Sequence, residues 1–188
     1  MGIIRNRDII RNRAVTTDRW RYELDALDQT PTAAIAAGDV IVSMQRWLSD
    51  HDRLLARGTR VGVLLRPDDD LQALIDCELH ELWLVAIEFP SFAEGRGYSQ
   101  ARLLRSRHDF HGDIRAIGDV SRDRVAFMER CGFNELELSP GQSARDALQA
   151  FTEFAAVYQP AADAAPTLAR IRGYRAEPAG PGPAGIAA

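Results

Sequence analysis

Residues 88–99, with the sequence Glu-Phe-Pro-Ser-Phe-Ala-Glu-Gly-Arg-Gly-Tyr-Ser, combine the residue types of a binding site for an anion. Two glycines flank Arg96, and glycine lets the backbone approach a ligand closely. A helix that begins near Tyr98 or Ser99 would add exposed N–H groups and the positive end of its dipole. Arginine would supply planar pairs of donors for a carboxylate, a phosphate or an oxyanion of sulfur. The predicted ligand-binding residues are Gly95, Arg96, Gly97, Tyr98, Ser99, Arg102 and Asp119.

The same segment also allows a purely structural interpretation. Its arginines can pair with nearby carboxylates and hold the loop in place, while Ser99 caps the helix. The carboxylates within reach of such a loop are those of Glu88, Glu94 and Asp119. The residue pattern leaves both interpretations open.

Asp119 and Arg115 belong to the next predicted strand and its loop. Asp119 follows the apolar strand Ile114–Ile117 and could act as a general base or orient an arginine of the preceding loop. Arg115 falls within that strand, and a buried arginine requires a carboxylate partner. We expect a supporting ion pair between Arg115 and either Glu88 or Glu137 on a neighbouring strand.

Several kinds of chemistry are excluded by composition. All 23 basic residues are arginine, which excludes a lysine Schiff base and the lysine-dependent phosphate-binding loop. The only cysteines, Cys77 and Cys131, are too few for a four-cysteine zinc or iron–sulfur site. His108 and His111 have no third ligand nearby, so we predict no metal and no cofactor. The sequence contains no complete catalytic constellation, and it leaves open whether the protein is an enzyme.

An alternation of strands and helices must position these residues. Short apolar runs without strict alternation are typical of buried parallel strands. The predicted strands are Val40–Val42, Val61–Leu65, Leu82–Ile87, Ile114–Ile117 and Leu136–Leu138. Helical spacing of apolar residues predicts helices over Met44–Leu55, Leu71–Ile75 and Ala147–Tyr158. We therefore expect an α/β fold with a mainly parallel sheet of about five strands and helices on both faces, either an open sheet or a partial βα barrel.

The two ends of the chain differ from this pattern. The sequence IIRNR occurs at residues 3–7 and again at 9–13. The paired Ile residues that flank Asn6-Arg7-Asp8 predict an amino-terminal β-hairpin within about residues 1–22, with its turn at those three residues. Residues 160–188 contain 19 Ala, Pro or Gly among 29 positions. Such a segment buries too little apolar surface to offset its ordering entropy, so we expect a partly disordered tail. The predicted single domain is residues 1–159.

Charge and hydropathy limit the partners. The net charge of −4 gives no long-range attraction to nucleic acids or anionic membranes, so nucleic acid is the least favoured partner. No apolar run approaches the roughly 18 residues that cross a bilayer, and the first residues lack the apolar stretch of a signal peptide. These features favour a cytoplasmic protein. Its oligomeric state is left open.

Three blocks of sequence resemble family 934 of the bacterial domains of unknown function. The blocks are GDVIVSMQRWL at 38–48, EFPSFAEGRGYSQARLLR at 88–105 and RAIGDVSRDRVAFMERCGFNELEL at 115–138, and the resemblance extends from Ile3 to Tyr158. Members of that family are typically encoded beside sulfite reductase and other genes of assimilatory sulfate reduction. The resemblance implies no known reaction and no established catalytic residues.

The resemblance implies a cytoplasmic accessory protein of sulfite reduction. Such a protein would act mainly by interaction, with sulfite reductase or its electron donor as the partner. The alternative is an enzyme or a binder of a small oxyanion or phosphorylated ligand at the Gly95–Ser99 loop.

Overall fold

A computed structural model describes residues 3–4, 8–24, 35 and 37–153 of the chain. The strands are β1 (Ile3–Ile4), β2 (Asp8–Arg11), β3 (Ala14–Thr17), β4 (Arg21–Glu23), β5 (Val40–Ser43), β6 (Val61–Leu65), β7 (Leu84–Phe89), β8 (Asp113–Gly118) and β9 (Glu135–Leu136). The α-helices are α1 (Met44–Leu55), α2 (Leu71–Asp76), α3 (Arg96–Ser106), α4 (Val125–Cys131) and α5 (Ala144–Ala147). Single 3₁₀ turns cover Leu79–Glu81, Arg122–Arg124 and Leu148–Thr152.

The strands form one mixed sheet in the order β1-β4-β5-β6-β7-β8-β9-β2-β3. Neighbouring strands from β4 to β9 pair in parallel, and the alternation of strands and helices confirms the α/β class. Strands β1 and β2 pair antiparallel with β4 and β9, at the two sides of this parallel part. The prediction of a mainly parallel sheet of about five strands is therefore wrong, because the amino-terminal strands join the sheet and extend it by antiparallel pairs.

The predicted hairpin is present, but its turn lies elsewhere in the sequence. Strands β2 and β3 pair antiparallel, and the turn between them is Asn12-Arg13, both with positive φ (48° and 61°). Two successive residues in this conformation form the turn that matches the twist of a two-stranded ribbon. The second IIRNR sequence thus forms a strand and its turn, while β1, from the first, pairs with β4.

The helices that the structure describes all pack on one face of the sheet. Their buried residues, including Trp47 of α1, Leu104 of α3 and Met128 of α4, belong to one apolar cluster. The cluster on the opposite face contains residues from the strands and from the segment before β4, among them Tyr22 and Leu84. The expectation of helices on both faces fails within the described residues, because the curled sheet fills its inner face with its own side chains.

Several ends of helices and strands carry local signals in the sequence. Strand β6 and helix α1 have the predicted bounds, and Asp70 caps α2 by accepting a hydrogen bond from the Gln72 N–H at 2.9 Å. Helix α4 ends at Cys131, and Gly132 follows with a φ of 113°. The last predicted helix is α5 followed by a 3₁₀ turn as far as Thr152. The remainder of that helix and the predicted tail at 160–188 lie outside the described residues.

Candidate functional site

The connections that follow β7, β8 and β9 meet at one edge of the sheet, as parallel pairing requires. The Asp119 N–H donates to the Phe89 carbonyl at 2.7 Å, and the Ser139 N–H donates to the Val120 carbonyl at 2.9 Å. The Ser139 hydroxyl also donates to the Gly118 carbonyl at 3.0 Å. The loop that contains the predicted anion site is therefore at the carboxyl edge, beside the Asp119 loop.

Within that loop, a carboxylate of the chain occupies the position expected for an anion. Glu94 accepts hydrogen bonds at 3.0 Å from the Arg96 backbone N–H and from Nε and Nη2 of its guanidinium group. These bonds lower the pKa of Glu94. A second carboxylate, Asp68, lies 3.3 Å from Arg96 Nη1. The structural interpretation of Arg96 thus describes the observed contacts, and a ligand-binding role for it stays a prediction.

The other residues of the Gly95–Ser99 segment serve helix α3. The helix begins at Arg96, so the predicted start near Tyr98 or Ser99 is too late, and Gly95 is the N-cap without a side-chain bond. A Cβ atom on Gly97 would lie 2.7 Å from the Phe89 ring, so this glycine permits packing of α3 on β7 rather than approach of a ligand. Ser99 is exposed within the first turn of α3 and is not its N-cap.

Asp119 lies beside Arg124, a residue with no distinguishing signal in the sequence. The distance from Asp119 Oδ2 to Arg124 Nη2 is 3.6 Å. The Arg124 guanidinium group is also 5.4 Å from the centre of the Phe92 ring, and the ring of Tyr98 is 5.0 Å from that of Phe127. We call the surface formed by Phe92, Tyr98, Arg124 and Phe127 the rim patch.

Arg102 and Arg105 are separate from these contacts. Arg102 is on the exposed side of α3. Arg105 is half-buried and donates to the carbonyls of Gly112 at 2.7 Å and Gly132 at 3.0 Å, and to the side chain of Asn134 at 3.0 Å. Burial lowers the pKa of Arg105. Its donors join α3 to the two connections that precede β8 and β9, so its observed role is structural.

Arg115 is fully buried on the inner face and forms ion pairs with two carboxylates. Its Nη1 and Nη2 atoms donate to Asp18 at 2.8 and 2.9 Å, and its Nε atom donates to Glu135 at 2.8 Å. One partner of Arg115 is, as expected, a carboxylate on a neighbouring strand: Glu135 of β9 stands opposite Arg115 in the register of the two strands. The named partners differ: Glu88 lies 3.8 Å from Arg66 instead.

The predicted partner Glu137 belongs to the same inner layer. It accepts a hydrogen bond at 2.7 Å from the Tyr22 hydroxyl, which lies 3.4 Å from Arg115 Nη1. Burial raises the pKa of Tyr22, so this residue acts as a neutral donor. Burial alone would lower the pKa of Arg115, but the hydrogen bonds and charges of its carboxylate partners outweigh that effect and raise it. Arg115 therefore stays charged.

Beside Arg115, at the amino ends of the parallel strands, lies a polar cavity of about 350 Å³. We call it the amino-end cavity. Its lining includes the buried Asp18, Arg115 and Glu135 and the more exposed Arg19, Asp39 and Arg60. The largest buried polar network of the described residues thus lies at the edge of the sheet opposite to the predicted site.

Asp18 and Glu135 are not identified from the sequence as partners of Arg115, and the reason differs between the two residues. Asp18 is 97 positions from Arg115 and reaches it only because the hairpin packs beside β9. A signal for Glu135 exists in the sequence Glu135-Leu136-Glu137-Leu138, whose alternation places both glutamates on one face. Both are buried on that face, at 1% and 3% exposure.

The pKa of Glu135 gives a testable pH dependence. Burial raises this pKa above its ordinary value of 4.5, and Arg115 lowers it by less. Above the ordinary value the folded state therefore holds more protons than the unfolded state, and the stabilising contribution falls as pH rises through the raised pKa. We expect the free energy of unfolding of the wild type, minus that of Glu135→Gln, to decrease as the pH rises above 4.5, the ordinary pKa of the carboxyl group. Urea denaturation at each pH measures this difference, and an increase with pH would contradict the assignment.

Two further properties concern metals and membranes. Among the described residues, no three His, Cys, Asp or Glu side chains are grouped so that they could hold a metal ion. None of the helices in the same residues has the length and apolar character of a membrane-spanning segment.

Comparisons with known proteins give one family match. No curated protein matches the chain. The family model described as a bacterial protein of unknown function (DUF934) matches residues 62–168, more than half of the chain, from β6 to beyond α5. The matched residues include the loop of Arg96, the rim patch and both Arg115 and Glu135. The chain therefore belongs to the bacterial family of unknown function DUF934.

Proposed function

We propose that this protein is a cytoplasmic accessory protein of assimilatory sulfate and sulfite reduction that acts mainly by binding another protein. The family resemblance implies the pathway and names sulfite reductase, or its electron donor, as the partner. The rim patch is the observation that supports action by protein binding, because it exposes large aromatic side chains on an otherwise well-packed edge.

The exposure of the rim patch supports a protein partner. Phe92 is 74% exposed and Phe127 is 51% exposed, although both stand at the carboxyl edge among charged loops. Exposed aromatic side chains that are grouped together commonly mark protein interfaces. Tyr98 lies against both the buried Phe89 and the exposed Phe127, each with ring centres 5.0 Å apart, and so joins the patch rigidly to the core.

Arg124 supports a partner that carries hydrogen-bond acceptors. The side chain of Arg124 is 8% exposed and forms an ion pair with Asp119 at 3.6 Å, but its Nε and Nη2 atoms have no hydrogen-bond acceptor among the described residues. Leaving donors of a buried charged group without acceptors costs free energy. A carboxylate or carbonyl that enters beside Phe92 would satisfy them, so a partner segment with an acidic and an apolar side chain fits the patch best.

We expect the double variant Phe92→Ser/Phe127→Ser to bind sulfite reductase at least about tenfold more weakly than the wild type. Truncation of aromatic residues at the centre of an interface commonly costs about 1–2 kcal/mol or more. Sedimentation velocity with the purified reductase of the same organism measures the Kd. The turnover of the reductase with and without the protein provides a second readout.

Leu48→Ser is the matched control, because Leu48 is 41% exposed on α1, outside the rim patch. It should bind as the wild type does. Melting curves for each variant would show that the fold is intact. The proposal fails if the wild type neither associates with the reductase at about 10 µM nor changes its turnover, or if both variants bind equally well.

A further inference from the structure

We propose that the amino-end cavity binds a small molecule through a phosphate or sulfate group, held by Arg19 and Arg60. The cavity has a volume of about 350 Å³, which is in the range of small-molecule sites and larger than a bare oxyanion requires. The inference concerns the edge of the sheet opposite to the rim patch, and it does not depend on the proposed interaction with a reductase.

The carboxylates that line the cavity already have partners. Arg115 binds both Asp18 and Glu135, and Arg11 Nε lies 3.1 Å from the other oxygen of Glu135. Asp39 accepts a hydrogen bond at 3.1 Å from the backbone N–H of residue 60. The acidic groups are therefore engaged by the chain itself and offer little attraction to a cationic ligand.

Two guanidinium groups at the cavity keep their donors available. Arg19 makes no ion pair or hydrogen bond through its side chain within the described residues. Arg60 is likewise without a side-chain hydrogen bond there, and its nearest carboxylate oxygen, on Asp39, is 4.0 Å from Nε. Guanidinium groups bind phosphate and sulfate oxygens in pairs. The excess donors at the cavity thus favour a doubly charged oxyanion.

Packing restrains one of these arginines before a ligand arrives. The Arg60 guanidinium group lies over the ring of Trp83, 4.9 Å from its centre. Trp83 is 56% exposed, and the Arg60 guanidinium group covers part of its ring. A side chain that is already held in one orientation loses less entropy on binding. Thr16 and Thr17 of β3 also line the cavity.

Titration with inorganic phosphate, and separately with inorganic sulfate, tests the site at constant ionic strength set with chloride. The melting temperature should rise with at least one of these anions relative to chloride. Arg60→Gln and Arg19→Gln should each raise the Kd at least about tenfold. The NMR signal of the Arg60 side-chain Nε–H should shift during the titration of the wild type.

Two further variants test whether anion binding is specific to the amino-end cavity. Arg53→Gln removes an exposed arginine of α1 outside the cavity and should leave the Kd unchanged. Arg96→Gln removes the arginine of the carboxyl-edge loop and should also leave it unchanged. No stabilisation beyond that of chloride, a Kd that rises only in Arg96→Gln, or an equal rise in Arg53→Gln would each overturn the assignment.

Discussion

Arg115→Met is expected to lower the free energy of unfolding by about 3–5 kcal/mol. The substitution keeps most of the side-chain volume but leaves Asp18, at 4% exposure, buried without its cation, and leaves Glu135, at 1% exposure, with only Arg11 as a partner. Breaking one side of a buried ion pair has this cost because the remaining charge cannot regain its hydration. Urea denaturation of the wild type and the variant at neutral pH measures the loss.

Two controls distinguish the loss of charge balance from a general effect of the substitution. The triple variant Arg115→Met/Asp18→Asn/Glu135→Gln removes all three charges and should recover most of the lost stability. Arg102→Met replaces an exposed arginine on α3 and should change stability by no more than about 0.5 kcal/mol. A triple variant that is no more stable than Arg115→Met would show that packing, not charge, causes the loss.

Gly118→Ala is expected to destabilise the protein by about 2–5 kcal/mol. Gly118 has a φ of 90°, a conformation that strains any residue with a Cβ atom. That atom would also lie 2.3 Å from the Phe89 carbonyl oxygen, the same oxygen that accepts the Asp119 N–H. The variant must therefore either separate the ends of β7 and β8 or lose that hydrogen bond. Thermal and urea denaturation provide the measurement.

Gly95→Ala is the matched control at the same edge of the sheet. Gly95 has a φ of −106°, and a Cβ atom there would meet no atom within 4 Å. Alanine at this position should cost no more than about 1 kcal/mol, because glycine is preferred over alanine at an N-cap but no atom obstructs the added Cβ. Equal losses in the two variants would contradict the backbone geometry that separates these glycines.

The parts of the fold that follow from local patterns are predictable from the sequence. Continuous apolar runs locate β6 and most of β7, and helical periodicity gives both ends of α1. The pairing of β2 with β9 has no such signal, because it joins residues such as Ile10 and Leu136 that are distant in sequence. The position of the hairpin turn at Asn12-Arg13 is ambiguous in the sequence, because the repeated IIRNR offers two equivalent positions for it.

At the candidate site too, only the features that depend on local sequence are predictable. The sequence predicts that Arg115 has an acidic partner, because a charged residue within a buried apolar strand must be paired. Which acid pairs with it depends on the register of β9 and on the position of the hairpin, and neither follows from local sequence. At the other edge, the glycines around Arg96 indicate room for a ligand when read as sequence alone. The space at Gly97 is occupied by the Phe89 ring, and Glu94 supplies the anion.

The attachment of the hairpin to β9 has a consequence for synthesis of the chain. Arg13 donates two hydrogen bonds of 2.7 Å to Glu129, and Asp18 meets Arg115 across 97 positions of sequence. The hairpin therefore cannot complete its contacts until β9, more than 100 positions further along the chain, has been synthesised. Contacts so distant in sequence close late and slow folding. Until then Ile9 and Ile10, both buried in the folded protein, lack the strand beside which they finally pack.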